Sequence, residues 1–230
     1  MPNEIVAGLN ELMNQHYLSG MQKSWDIENW DRKSAYEFFK TFEDPYVGIQ
    51  VNLDCTAFVQ QCKMHSYSTH HALLYAVVKA ANAYEPMRLR RTAEGVALHD
   101  NIDIGCSVMQ RGTKAFVFAY YPWVEGESVA DFIFRAQQIT VQAAEGIPFE
   151  DRPDRTNLIY GTTLPWLSFT GFKHPRKGGN HSVPKIVLGK ITSQAGRYVL
   201  PFQLEVDHAL MDGIHMSEYL ALVQENLNRL

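Results

Sequence analysis

The sequence has few cysteines and lacks the patterns that mark several common classes of protein. Its three cysteines, Cys55, Cys62 and Cys106, have no CxxC spacing, so neither a disulfide framework nor a zinc site is predicted. A formal net charge of −4 gives no general basic footprint for nucleic acid. No apolar run approaches the length of a membrane span, and the N-terminus has no signal-peptide pattern. We therefore expect a cytoplasmic protein without a metal that binds neither nucleic acid nor a membrane.

Three catalytic or nucleotide-binding motifs are also missing. The sequence has no GxSxG nucleophile elbow, no GxxxxGK[ST] phosphate loop and no GxGxxG fingerprint. His70 and His71 are adjacent, and adjacent residues on a helix point in different directions, so packing is favoured over metal binding. Two short basic clusters, at residues 88–91 and 173–177, indicate solvated loops or a contact with an anionic ligand.

The composition and the hydrophobic periodicity predict a globular α/β domain. With 230 residues, of which 46% are hydrophobic, the chain can bury a large core, and no internal linker or repeat divides it. We predict one domain at residues 25–230, preceded by an extension at residues 1–24 with a weak helical pattern at 5–18. Several strands follow one another without helices, which predicts a layered sandwich with a mixed β-sheet flanked by helices. The strands are predicted at residues 46–53, 103–109, 115–121, 157–160, 166–172, 185–191 and 198–206. The helices are predicted at residues 31–42, 56–62, 68–82 and 129–144 and at the C-terminus.

The segment that carries the most chemistry begins with the last predicted strand. This strand leads to His208, and Asp212 and Gly213 follow four and five residues later, before the final helix. A histidine suits proton transfer near neutral pH. A lone histidine at a strand end also serves a structural role in many proteins, and Asp-Gly is a common turn. A general base with no obvious side-chain nucleophile favours direct transfer between two bound substrates.

Five further segments occur together with this motif, in a fixed order. They are residues 26–39 (DIENWDRKSAYEFF), 51–58 (VNLDCTAF), 75–91, 163–172 (TLPWLSFTGF) and 184–190. Together with the His208 motif they resemble the trimeric chloramphenicol acetyltransferases of the classical type-A family over residues 25–230. The resemblance implies the coenzyme A-dependent acyltransferase fold and a homotrimer with active sites between subunits. It also implies acetyl-CoA as a co-substrate and no permanently bound cofactor.

The resemblance assigns roles to four residues. His208 would be the general base, and Asp212 would pair with Arg32 to brace the loop that carries it. Thr162 stands where the family commonly has a serine that hydrogen-bonds the tetrahedral oxyanion. Thr163 is the alternative if the alignment slips by one residue.

The resemblance also places residues around the two substrates. Phe39, Pro45, Val47 and Phe116 match positions that line the acceptor pocket, although apolar character alone is equally consistent with core packing. Trp166 and Lys190 match positions near the coenzyme A channel. Asp207 replaces a histidine common in the family, and it would raise the pKa of His208 if the two side chains approached each other.

We therefore expect an acetyl-CoA-dependent O-acetyltransferase that acts on chloramphenicol in a ternary complex and confers resistance. One alternative is an acyltransferase with the same site and a different small alcohol as acceptor. Another is an assembly core like that of the 2-oxo acid dehydrogenase acyltransferases, whose Asp-His-x-x-x-Asp-Gly motif is matched at residues 207–213.

Overall fold

The computed structural model describes residues 22–146, 155–176 and 182–230, which contain five α-helices and ten β-strands. The helices are α1 (Lys33–Phe39), α2 (Thr56–Met64), α3 (Thr69–Ala83), α4 (Val129–Ala144) and α5 (Gly213–Arg229). The strands are β1 (Gln22–Ser24), β2 (Tyr46–Asp54), β3 (Leu89–Thr92), β4 (Gly95–His99), β5 (Asp103–Met109), β6 (Phe116–Tyr121), β7 (Leu158–Thr163), β8 (Lys185–Leu188), β9 (Thr192–Gln194) and β10 (Arg197–Asp207). The predicted sandwich with a mixed sheet flanked by helices is confirmed.

The main sheet has the order β2-β10-β8-β7-β5-β6, with β9 paired to the start of β10. The pairs β5–β7 and β7–β8 are parallel, and the other pairs are antiparallel. A smaller antiparallel sheet has the order β1-β4-β3. Since β1 pairs with β4, the small sheet begins three residues before the domain boundary predicted at residue 25.

The two faces of the main sheet differ in chemistry. On β10, Phe202, Leu204 and Val206 face the helices and form part of the main core. The alternate residues Gln203, Glu205 and Asp207 lie on the opposite face, because successive strand residues point to opposite sides. All three are buried, so each polar group needs a partner on that face.

Helix α3 lies at the centre of the helical layer. It is apolar over most of its surface, with Ala72, Leu74, Ala76, Val78 and Ala80 completely buried, as expected for a helix packed on all sides. Helices α4 and α5 pack on α3, and α2 packs on α5. This layer covers the sheet face formed by the apolar residues of β10.

Two local predictions are wrong. The predicted strand at residues 166–172 is irregular, because Leu167 N–H donates to Leu164 O in a turn at 3.1 Å and the side chain of Gln203 bonds both backbone groups of Phe172. The basic cluster at residues 88–91 is not a solvated loop. Arg90 is 1% exposed in β3, and its guanidinium donates to four backbone carbonyls.

The remaining differences concern short elements and segment ends. The sequence pattern does not predict the strands β1, β3, β4 and β9, which have three to five residues each. Helix α1 is shorter than predicted. The helix predicted at residues 5–18 and the part of the basic cluster at residue 177 lie outside the described residues. Among the described helices, none has both the length and the apolar character to cross a membrane.

Candidate functional site

His208 is the first residue after β10, and its backbone is held on both sides. Its N–H donates to Pro45 O at 2.8 Å, which extends the β2–β10 pairing by one bond. Its carbonyl accepts a hydrogen bond from Arg32 Nη2 at 3.0 Å. These two contacts fix the point at which the imidazole leaves the sheet.

The imidazole itself is oriented by a ring and a carbonyl. The Phe39 ring stacks on it with centroids 3.9 Å apart and planes 13° apart. His208 Nδ1 lies 3.2 Å from Met211 O. Because a carbonyl oxygen only accepts hydrogen bonds, Nδ1 carries the hydrogen in the neutral ring, and Nε2 carries the lone pair. No side chain of the described residues hydrogen-bonds Nε2, so this atom is available to take a proton from a substrate.

Arg32 and Asp212 form an ion pair beside His208. Arg32 is 8% exposed at the start of α1, and its Nη1 donates to Asp212 Oδ2. His215 Nδ1 donates to the other carboxylate oxygen at 2.8 Å. Burial alone would raise the pKa of Asp212, but the hydrogen bonds from His215 and Arg32 and the charge of Arg32 lower it overall. The loop from His208 to α5 is thus tied to α1 by an ionised carboxylate.

The carboxylate of Asp207 is hydrogen-bonded to Arg91 and to the backbone of Ala209, not to His208. Its Oδ2 accepts a hydrogen bond from Arg91 Nε at 2.6 Å, and its Oδ1 accepts one from Ala209 N–H at 2.9 Å. Burial raises the pKa of Asp207, and the charge and hydrogen bond of Arg91 only partly offset this effect. The carboxylate therefore braces the loop from the face opposite the helices.

Three of the four predicted acceptor-pocket residues lie near His208. Phe39 stacks on its ring and Pro45 bonds its backbone, as described above. Val47 pairs with Val206 in the β2–β10 ladder, on the core side of the sheet. Together with Arg32 and Asp212 these residues form the His208 group.

The other predicted residues lie elsewhere. Thr162 is near the end of β7, and Phe116 begins the edge strand β6, separated from β10 by three strands. Trp166 follows β7, and Lys190 is next to it, because Lys190 N–H donates to Leu167 O at 2.8 Å. Thr162, Phe116, Trp166 and Lys190 form the Thr162 group.

One chain does not bring the two groups together. Thr162 is level with Val187 of β8, and Val187 is level with Gln203 of β10. Thr162 is thus two strands away from β10. Along the strand direction it is level with Gln203, five residues before His208. At ordinary strand spacings Thr162 and His208 are therefore about 20 Å apart.

Thr162 and Thr163 point to opposite faces of the sheet. Thr163 Oγ1 lies 3.3 Å from His70 Nδ1 on α3, inside the helical layer. Thr162 Oγ1 lies on the other face, 3.3 Å from His174 Nε2. That face also carries Phe116, through the ring contacts from Phe116 to Phe118 and from Phe118 to Tyr160. Of the two threonines, only Thr162 lies on the face of the sheet that carries Phe116.

Three residues that lie close to the two groups are not predicted as site residues from the sequence. They are Arg91, His174 and Glu205. The signal that could have found them is the period-two pattern of β10. Three polar residues alternate with apolar ones in a buried strand, which requires polar partners on one face. In the part of the chain that the structure describes, no cluster of three or more His, Cys, Asp or Glu residues could hold a metal ion.

The chain is similar to chloramphenicol acetyltransferases over most of its length. Residues 22–224 match the family model described as chloramphenicol acetyltransferase. A chloramphenicol acetyltransferase of Proteus mirabilis is 22% identical over 87% of this chain and 92% of its own length. One from Campylobacter coli is 26% identical over 89% of this chain and 97% of its own length.

Solved structures share the fold. A chloramphenicol acetyltransferase structure superposes with a TM-score of 0.78 and 28% identity, covering 90% of this chain and 100% of its own. A probable dihydrolipoamide acetyltransferase from Listeria monocytogenes superposes with a TM-score of 0.63 at 14% identity, covering 92% of this chain and 96% of its own. At that identity the second similarity shows a common fold only.

Proposed function

The chain belongs to the chloramphenicol acetyltransferase family, and we propose that it transfers the acetyl group of acetyl-CoA to a hydroxyl of chloramphenicol, which confers resistance to the antibiotic. The observation that carries the proposal is the orientation of His208. Its ring is fixed by Phe39 and by Met211 O, with the Nε2 lone pair unused by the described side chains. This is the form of a histidine that removes a proton from a bound alcohol.

The proposed reaction takes place in a ternary complex without an acyl-enzyme. His208 Nε2 accepts the hydroxyl proton while the substrate oxygen attacks the thioester carbonyl. The tetrahedral intermediate then collapses, the C–S bond breaks, and the coenzyme A thiolate takes the proton from His208. Thr162 donates a hydrogen bond to the oxyanion. No permanently bound cofactor is required.

Arg32 and Asp212 are assigned the structural part of this mechanism. Their ion pair joins α1, which carries Phe39, to the loop that carries His208. This pair of a buried guanidinium and a partly exposed carboxylate keeps the base in a fixed position relative to the acceptor.

Phe39, Pro45 and Val47 would form an apolar wall for the aromatic ring of the acceptor, completed by Phe116. Trp166 and Lys190 would contact coenzyme A, with the ammonium group placed for a phosphate.

A second copy of the chain is required to complete this site. The two groups are about 20 Å apart within one chain at ordinary strand spacings. The Thr162 group has large exposed apolar side chains, with Phe116 46% and Trp166 66% exposed, as expected of a surface that another subunit covers. We therefore propose a homotrimer in which the His208 group of one copy meets the Thr162 group of the next. The buried free cysteines support a cytoplasmic location.

The test measures the release of free thiol from acetyl-CoA, with and without chloramphenicol. His208→Ala should lower the turnover number about 100- to 10,000-fold, because it removes the base. The matched control is His65→Ala, an exposed histidine outside both groups, which should keep native turnover.

Two results would contradict the proposal in different ways. Native turnover by folded His208→Ala protein would show that His208 is not the base. No chloramphenicol-dependent release by native protein that binds coenzyme A would favour a different alcohol as acceptor, and a screen of small alcohols would follow. The low identity to the named relatives, 22% and 26%, makes this second acceptor class the main alternative.

A further inference from the structure

A hydroxyl, an imidazole and a carboxylate lie in one line next to the Thr162 group. Thr162 Oγ1 is 3.3 Å from His174 Nε2, and His174 Nδ1 is 2.9 Å from Glu205 Oε1. The same carboxylate oxygen accepts a bond from the backbone N–H of His174 at 3.2 Å. The mechanism proposed above uses Thr162 but neither of the other two residues.

Contacts with several neighbouring residues fix the positions of Glu205 and His174. Glu205 is 2% exposed, and its Oε2 accepts a hydrogen bond from Arg176 Nη2 at 2.9 Å. Opposite Glu205 on β2 stands Gly48, where a Cβ atom would lie 3.0 Å from Glu205 Cγ. The Phe172 ring contacts the imidazole edge-on at 4.9 Å. The position of His174 is therefore determined by packing as well as by its hydrogen bonds with Glu205.

The charged and titratable groups around His174 come from three strands and from the loops that carry Asp44 and Arg176. Glu205 lies on β10, Lys185 on β8 and Tyr46 on β2, whose ring stacks under the Arg176 guanidinium at 3.8 Å. Asp44 pairs with Arg176 Nε at 3.2 Å.

Burial raises the pKa of Glu205, but its hydrogen bonds with His174 and the charges of His174 and Arg176 lower it overall. Glu205 is thus a carboxylate at neutral pH and only accepts hydrogen bonds, so His174 Nδ1 must donate to it.

The protonation of His174 then decides what the hydroxyl of Thr162 can do. In a neutral imidazole with its hydrogen on Nδ1, Nε2 is an acceptor and takes the only hydrogen of the hydroxyl. In the imidazolium, Nε2 is a donor to Oγ1, and the hydroxyl hydrogen is left for another acceptor. Only the second arrangement allows Thr162 to donate to an oxyanion while it keeps its hydrogen bond with His174.

We propose that His174 in its imidazolium form, paired with Glu205, is a positioning residue that directs the hydroxyl hydrogen of Thr162 toward the developing oxyanion. This inference rests on the role of Thr162 in the proposed function. It adds a charge close to the oxyanion donor, which strengthens the donated hydrogen bond.

The test compares steady-state kinetics of variants in the full-length oligomer. Thr162→Val and His174→Leu should each lower kcat about 100-fold, with little change in the KM for chloramphenicol, because only the transition state loses a donor. In the double variant His174→Leu should cause almost no further loss, since its effect passes through Thr162. His174→Gln retains an N–H that can donate to Oγ1, and it should recover most of the lost turnover.

Rescue by His174→Gln is a readout that a purely structural role would not give, because Leu and Gln differ here in whether an N–H can donate to Thr162 Oγ1. Thr163→Val, on the other face of the same strand, is the matched control and should keep the native kcat and KM.

Several results would overturn the inference. Unchanged kcat in folded His174→Leu and His174→Gln would do so while leaving Thr162 in its role. Additive losses in the double variant would show that His174 acts independently of Thr162. A stable acetyl group on Thr162, found by mass spectrometry after mixing with acetyl-CoA alone, would show that the neutral imidazole activates a nucleophile. If Thr162→Val keeps native kcat, both this inference and the proposed role of Thr162 are wrong, while thiol release by the native chain tests the reaction separately.

Discussion

The His208 group and the neighbourhood of Thr162 are held in place by different means. The backbone of His208 contacts Pro45 O, and its ring contacts Met211 O, so its position follows the path of the chain. The Thr162 hydroxyl contacts the side chain of His174, which contacts the side chain of Glu205. The imidazole of His208 is therefore oriented by a backbone carbonyl and by the stacked ring of Phe39. The hydroxyl of Thr162 is instead oriented by an imidazole and, through it, by a carboxylate.

Exposed apolar side chains lie beside both groups. Phe116 and Trp166 are 46% and 66% exposed, and Phe38 and Phe42, whose rings contact Phe39, are 60% and 45% exposed. Exposed apolar side chains next to functional residues indicate a surface that becomes buried on association. By this argument each chain carries two half-sites, and another copy of the chain covers each of them.

The most decisive way to break this comparison is subunit complementation. His208→Ala and Thr162→Val, each about 100-fold impaired or more as a pure oligomer, should regain activity when the two chains are refolded together. In a mixed trimer one interface combines the intact His208 of one chain with the intact Thr162 of the other. Random assembly of equal amounts leaves about a quarter of all sites intact, so thiol release should return to about a quarter of the native value.

A mixture of His208→Ala with His208→Ala/Thr162→Val provides the control and should stay inactive, because no interface contains an intact base. If the first mixture is no more active than the separate variants, His208 and Thr162 serve one site within a single chain. Size-exclusion chromatography with light scattering checks that the oligomers have exchanged subunits.

Much of this arrangement could be predicted from the sequence, but the partners of buried polar residues could not. The order of strands and helices followed from hydrophobic periodicity, and residues 103–109 and 129–144 match their elements end to end. Family motifs pointed to His208, Arg32 and Asp212, which the structure places side by side. Their roles stay predictions.

What the sequence could not show depends on contacts between distant residues. The cluster with Arg90 and Arg91 is interpreted from the sequence as a solvated loop or a contact with an anionic ligand. Nothing in the local sequence reveals that Arg90 donates to four backbone carbonyls and that Arg91 pairs with Asp207. His174 stands in a loop without periodicity, 31 residues before its partner Glu205. The aromatic run at residues 166–172 has strand-forming residues, but its backbone is bonded by a side chain from β10.

The two ion pairs near His208, Arg91–Asp207 and Arg32–Asp212, should differ in their effect on stability. Arg91→Ala leaves the carboxylate of Asp207, which is 0% exposed, without its charge partner, and should lower the free energy of unfolding by about 3–5 kcal/mol. Arg32→Ala should cost less, about 1–2 kcal/mol, because the side chain of Asp212 is 34% exposed and water can replace part of the lost interaction. Urea denaturation of the two variants measures both values.

Arg111→Ala, at an exposed pair with Glu145, is the control and should leave stability almost unchanged. Equal losses in Arg91→Ala and Arg32→Ala would mean that burial does not distinguish the two pairs. Arg32→Ala should in addition reduce turnover, and full turnover in this variant would contradict the proposed brace of the His208 loop.

The smallest expected effect is on how the free energy of unfolding changes as the pH falls from neutral to acid. Because the pKa of Asp212 is lowered on folding, its ionised form contributes stability above the unfolded pKa of about 4, and this contribution is lost as the pH falls through the folded pKa. The pKa of Asp207 is raised on folding, so its contribution has the opposite sign and increases as the pH falls. Asp212→Asn should therefore make the acid loss of stability shallower, and Asp207→Asn should make it steeper. Urea midpoints measured between pH 7 and pH 3 compare the two slopes, and slopes that change in the same direction would show that Arg91 outweighs burial at Asp207.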